Sequence, residues 1–234
     1  MFAEGKSNMS IIQLEHISKK YADKTIFRDL SINVNEGEFL GIQGGSGTGK
    51  STLLNIIGLL EEGNGSIMID GEAVDYRNNR QVQRLLRRKI GYLFQNFALI
   101  DDQTVKENLY LAMPKMSETK RQKLCLNALS DVGLDNILNK KIYQLSGGEQ
   151  QRIAVARLIL HRCKIVLADE PTGSLDKENA DKIIDLLWAL NQQGRTVIMV
   201  SHDPNAFRYC TRIVKIENQG LVDATPKKVE NGDK

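Results

Sequence analysis

The chain has 234 residues, 41% hydrophobic and 26% charged; this allows one large domain or two small ones with a true core and excludes disordered and collagen-like classes. Lys and Arg total 32 against 29 Asp and Glu, a difference of +3, so no nucleic-acid partner is expected and any basic site must be local. The longest apolar runs, residues 56–60 and 197–200, fall far short of the roughly 20 residues a bilayer crossing needs. Residues 1–10 are charged and hold no apolar leader, which predicts a cytoplasmic protein. Cys125, Cys163 and Cys210 are scattered, odd in number and without Cys-x-x-Cys spacing, and read as reduced packing residues.

Residues 11–17 and 27–34 alternate apolar and polar side chains and predict two strands of a half-exposed sheet. A polar loop is expected between them over residues 19–23. Its one aromatic, Tyr21, could stack on a nucleotide base; a surface or strand-end tyrosine is the plain alternative. After a tight turn at Gly37, the apolar run 39–42 predicts a strand leading into Gly44-Gly45-Ser46-Gly47-Thr48-Gly49-Lys50-Ser51-Thr52. Such a glycine-rich loop between a strand and a helix is a phosphate cradle. Its backbone N–H groups converge on one anion, and the following helix adds the positive end of its dipole. In the pattern G-x-x-x-x-G-K-[ST], Lys50 reaches the β- and γ-phosphates and the Ser51 hydroxyl ligates Mg²⁺.

The helix after the loop should stop over residues 58–65, and residues 66–70 predict another short strand. Residues 79–89 predict a helix carrying Arg80, Arg84, Arg87, Arg88 and Lys89, a run that reads first as a solvated face. The apolar strand 90–94 delivers Gln95 to its C-terminal end, where open α/β sheets place ligand contacts, so that its amide could hold Mg²⁺ or a water. Thr104 and Glu107 form a capping box opening a helix over 105–113, and residues 117–132 carry helical periodicity. This helix-rich stretch predicts an inserted helical subdomain over about residues 96–160.

Leu145-Ser146-Gly147-Gly148-Glu149-Gln150 opens the next helix with a second anion-seeking N-terminus, which by itself reads equally as a simple cap. The continuously apolar strand 165–168 ends in Asp169-Glu170. Two carboxylates at that tip, in a chain with a phosphate loop, fit an Mg²⁺-directed Asp followed by a Glu that polarises water. Asp176 is a good N-cap for a helix whose apolar face is Ala180, Ile183, Ile184, Leu187 and Leu190. The buried strand 196–200 delivers His202 to a position from which it could touch a γ-phosphate, although a lone histidine is more often structural. Residues 212–217 and 221–223 predict a closing hairpin, and 225–234 a charged tail.

Tyr21, Gly44–Thr52, Gln95, Leu145–Gln150, residues 165–170, Ser174-Leu175-Asp176 and His202 together resemble the ATP-binding subunits of ABC transporters over nearly the whole chain. The Leu-Ser-Gly-Gly-Glu run discriminates, because other phosphate-loop families lack it. The resemblance implies a P-loop NTPase core with a mainly parallel sheet and flanking helices, an N-terminal antiparallel β subdomain, and a single ATPase domain over residues 1–224. It further implies ATP and Mg²⁺ as cofactors and a head-to-tail homodimer with two ATP molecules between the copies. In that pair Ser146, Gly147 and Gly148 of one copy would complete the other's phosphate loop. Glu170 would be the general base, His202 would contact the γ-phosphate, Asp176 would follow the dimer interface, and Gln95 would link Mg²⁺ and water to a transmembrane permease. The chain would then sit on the inner face of the plasma membrane.

Residues 90–100 and 104–109 resemble the branch serving lipoprotein release, macrolide export and peptide-antibiotic export, and within it the bacteriocin exporters. The implied function is ATP-driven export or release of a peptide, lipoprotein or amphipathic drug. An ATP-gated signalling or scaffold module acting on a membrane partner, as in cell division, is the alternative.

Overall fold

The computed structural model describes residues 9–226; most of the expected tail, and the leader reading except at its last two positions, lie outside the described residues. The alternating N-terminal segment forms β1 (Ser10–Tyr21) and β2 (Lys24–Asn35), paired antiparallel with Tyr21 opposite Lys24. The loop expected over 19–23 is therefore only the turn at Ala22 and Asp23. Lys19 and Lys20 pair across the ladder, whose tertiary context outranks their low strand preference. β3 (Phe39–Gln43) and α1 (Lys50–Ile57) flank the glycine loop, with α1 starting three residues before Leu53.

β4 (Asn64–Ile69) and β5 (Glu72–Ala73) complete an antiparallel sheet of order β2-β1-β4-β5. The basic segment is the helix α2 (Asn79–Arg88), capped by the Asn78 side chain, and β6 (Ile90–Leu93) follows it. Phe94, expected within β6, lies just past its end. The Thr104 and Glu107 side chains cap α3 (Val105–Tyr110) reciprocally, and that helix ends short of Met113. Next come α4 (Glu118–Asp131), α5 (Gly147–His161), β7 (Ile165–Asp169) and α6 (Lys177–Gln192), the last capped by Asp176. β8 (Thr196–Ser201), β9 (Arg212–Glu217) and β10 (Gly220–Asp223) finish the chain.

The second sheet has the order β10-β9-β3-β8-β7-β6 and is parallel except for the β9–β10 hairpin. Asn218 and Gln219 turn that hairpin with φ of 49° and 66°, the two left-handed residues a tight two-residue connection takes. Its central strands are buried on both faces, and each alternates between two cores. From β7, Ile165 and Leu167 join Ile12, Phe27, Leu53 and Ile57 between the two sheets. Val166 and Ala168 join Leu109, Leu129, Val155 and Leu187 on the side of α3 to α6. Continuous apolarity of β7 and β8 follows from these two coverings. Among the described residues no helix is long and apolar enough to cross a membrane.

Candidate active site

β3, β7 and β8 end side by side, with Gln43 opposite Ser201 and Asp169 opposite Val200. Their C-terminal tips place the glycine loop, Asp169-Glu170 and His202 together, as parallel α/β sheets place ligand contacts. Gly49, the residue before α1, has φ 101°, and a Cβ there would lie 2.4 Å from Ile26 Cγ2. Only glycine lets the loop pack this closely on β2. The Thr48 hydroxyl donates to the Gly45 carbonyl at 3.0 Å and tightens the turn.

Lys50 is buried, and its Nζ donates to the carbonyls of Gly44 (3.0 Å) and Gly45 (3.1 Å). It also faces Glu170 Oε1 at 3.6 Å. The ammonium therefore sits over the loop's own concavity, where an anion would meet it. The Ser51 hydroxyl donates to Asp169 Oδ1 at 3.1 Å. Burial raises the pKa of Asp169, and the adjacent Glu170 charge adds to that rise; the Ser51 hydrogen bond and Lys50 oppose it. A desolvated carboxylate facing a hydroxyl is short of positive charge.

Glu170 follows β7 in a left-handed conformation, φ 43°, strained for a residue with a Cβ. Its N–H donates to the Val200 carbonyl at 3.0 Å and its carbonyl accepts from Gly173 at 3.1 Å, which hold it there. Glu170 Oε2 accepts from His202 Nδ1 at 2.9 Å and from the His202 N–H at 3.3 Å. Gln95 reaches the same loop: a Cβ built on Gly173 would lie 3.5 Å from Gln95 Nε2 and 3.7 Å from Glu170 Cβ. Tyr21 stands at the edge, half-exposed, its hydroxyl donating to Glu61 and interacting with Thr52.

Lys50, Ser51, Asp169, Glu170, His202 and Gln95 thus meet within one protomer. Ser146, Gly147, Gly148 and Asp176 do not join them. Ser146 closes a capping box with Glu149, its Oγ donating to Oε2 at 2.7 Å. Gly148 abuts Asn179, 2.6 Å from a Cβ placed there, and Asn179 donates to both carboxylate oxygens of Asp176 at 2.9 and 2.7 Å. The two helix starts form a second cluster. Sequence reading missed Asn179 and also Gln151, which is buried on α5 and donates to the Pro171 carbonyl at 2.8 Å beside Glu170. A polar side chain one turn past the Ser146 cap was the available signal, but its burial comes only from the fold.

The sequence model of the family described as ABC transporter matches residues 27–173. The chain belongs to the ABC transporter family. It is an ATP-binding ATPase of that family, with the characteristic fold. The lipoprotein-releasing system ATP-binding protein LolD of Aquifex aeolicus is 37% identical over 91% of this chain and 96% of that protein. The macrolide export ATP-binding/permease protein MacB of Mannheimia succiniciproducens is 35% identical over 94% of this chain but only 35% of its own length. The bacterial ABC transporter cassette MJ0796, solved as a dimer and as a dimeric post-hydrolysis state bound to ADP and Pi, superposes with TM-score 0.83 at 36% identity over 92% of this chain and 99% of that one.

Proposed function

We propose that this chain powers an exporter, hydrolysing ATP to drive export or release of a peptide, lipoprotein or amphipathic drug through a separate transmembrane subunit. The meeting of Lys50, Ser51, Asp169, Glu170 and His202 beside a phosphate loop carries this reading. The names of the lipoprotein-release and macrolide-export relatives support export, and the permease part printed for MacB supports a permease partner. Residues 1–224 act as one ATPase domain with a helical insertion over about 96–160, ahead of a tail over 225–234. The working place is the cytoplasmic face of the plasma membrane, reached through the permease.

The polyphosphate of ATP lies on Gly44, Gly45, Ser46, Gly47, Thr48 and Gly49, with Ser51 and Thr52 at the helix start. Lys50 exchanges its two carbonyl acceptors for phosphate oxygens, and Tyr21 offers its ring to the base. Ser51, Asp169 and the Gln95 amide are hard oxygen donors that suit Mg²⁺. The set is short of protein ligands, and among the described residues no His, Cys, Asp and Glu cluster forms a closed metal cage. Such an open set is what Mg²⁺ uses when phosphates and waters fill its shell. When bound, the ion neutralises phosphate charge. Glu170 accepts the proton of the attacking water while His202 orients the carboxylate.

Ser146, Gly147 and Gly148 lie apart from the loop in their own protomer, which supports a head-to-tail homodimer in which each copy completes the other's site, with Asp176 along the interface. Dimers of the 36%-identical cassette support the pairing. The test is Glu170→Gln, measured with the permease present. Turnover should fall about 10²–10³-fold with ATP affinity retained and a dimer accumulating. Ordinary turnover by that variant would overturn the assignment.

A further inference from the structure

Two consecutive residues after Gln95 adopt left-handed backbone without being glycine, Phe97 at φ 62° and Ala98 at φ 48°. For a bulky aromatic this is an outlier, and such strain persists only where neighbours over-determine it. The neighbour is Arg157, on the α5 face turned toward this loop. Its Nη1 donates to the Ala98 carbonyl at 2.5 Å and its Nη2 to the Phe97 carbonyl at 3.1 Å. The guanidinium is half-buried, and burial alone lowers its pKa, with no carboxylate acting on it. A desolvated cation with only carbonyl partners is costly, so its place must be set by those two bonds.

The Gln95 segment touches both halves of the machinery. Gln95 lies against Gly173 in the Glu170 loop, and the Phe97 ring lies 3.7 Å from a Cβ built on Gly147, the first residue of α5. Arg157 stands ten positions further along that helix. We infer that Arg157 is a positioning residue for hydrolysis: by clamping the Phe97 and Ala98 carbonyls it locks the Gln95 segment to α5, so that Gln95 and the Ser146–Gly148 helix start move as one unit. This rests on the ATPase reading above. Arg157 touches no residue of the phosphate loop, so its loss should spare nucleotide binding. It should mis-set the reaction geometry, to which catalysis is far more sensitive.

Steady-state ATPase kinetics of the full chain with its permease, nucleotide titration, and hydrogen exchange over residues 94–99 test this. Arg157→Met should lower kcat about tenfold or more while the dissociation constant for ATP stays within about twofold. Exchange at the Phe97 and Ala98 amides, which donate to Phe94 and Asn96, should accelerate. Adding Ala98→Gly should recover part of kcat, because glycine takes φ 48° without strain and needs less clamping. Arg157→Lys keeps a donor and the charge and serves if the Met variant misfolds; it should fall between wild type and Met. Unchanged kcat in a folded variant, no recovery by Ala98→Gly, or equal loss of kcat and affinity would each overturn the inference. Should wild type itself turn over no ATP, the ATPase reading fails instead. The clamp then stands or falls on whether exchange at residues 97 and 98 responds to Arg157→Met.

Discussion

Glu170 Oε2 accepts a hydrogen bond from His202 Nδ1 at 2.9 Å, although the two residues lie 32 positions apart on the tips of neighbouring strands. One carboxylate oxygen is thereby fixed, and the other is left toward Lys50. Removing the imidazole should leave that oxygen only the longer bond from the His202 N–H and so loosen the carboxylate without touching the phosphate loop. His202→Ala should lower kcat about 10²-fold and leave KM for ATP within about threefold. A rise in KM with constant kcat would assign His202 to ground-state binding instead.

The separation of Ser146 from the phosphate loop predicts complementation between dead chains. Lys50→Ala and Ser146→Arg should each abolish turnover as homodimers. Mixed together, they form one site from the intact phosphate loop of the second chain and the intact Ser146 helix of the first. ATPase activity should reappear at up to about half the wild-type rate per mixed dimer. Continued inactivity of a verified mixed dimer would place the whole site in one chain.

Gly49→Ala should damage both fold and site. Its left-handed φ and the 2.4 Å approach to Ile26 leave no room for a methyl group. A loss of about 2–4 kcal/mol is expected, lowering the melting temperature by about 5–15 °C, together with loss of ATP binding. An unchanged melting temperature would show that the loop relaxes around the added carbon.

A fourth prediction concerns pH and Asp70, in the turn between β4 and β5. Burial by itself would raise its pKa, but hydrogen bonds and charge from Lys89 and Lys164 prevail and lower it from the ordinary 3.8. Lys164 holds it at 3.0 Å, and Lys89 pairs with its other oxygen. A carboxylate with a lowered folded pKa contributes stability above its ordinary value and loses it as pH falls through the folded one. Denaturant unfolding should therefore show stability falling as the pH drops below about 3.8, an effect weakened by solvent screening of the partly exposed lysines. Asp70→Asn, which tolerates the same left-handed turn, should abolish that part of the pH dependence.

Local pattern revealed much of this protein. The apolar runs of β7 and β8, the Thr104 and Asp176 caps, the β9–β10 hairpin and the phosphate loop all depend on neighbours in sequence. Lys19 and Lys20 misled because strand pairing, a partner's contribution, converts polar residues into ladder members. The helix starts at Ser146 and Asp176 were each legible; that Asn179 joins them was not, since Gly148 meets it across 31 positions. Arg157 was invisible for the same reason, its two acceptors lying 59 and 60 residues upstream. Burial and partner choice come from topology, and a period in the sequence reports only which face is turned inward.

β7 works as a party wall. Ile165 and Leu167 belong to the chamber beneath the antiparallel sheet, whereas Val166 and Ala168 belong to the chamber of α5 and α6. Softening one room leaves the other's furniture in place, although both open onto the same doorway at Asp169 and Glu170. Val166→Ala would loosen the seat of the Ser146 helix while the phosphate loop keeps its footing, and Leu167→Ala would do the reverse. On the head-to-tail pairing proposed above, gripping nucleotide and gripping the other copy are thus detuned separately from adjacent positions on one strand.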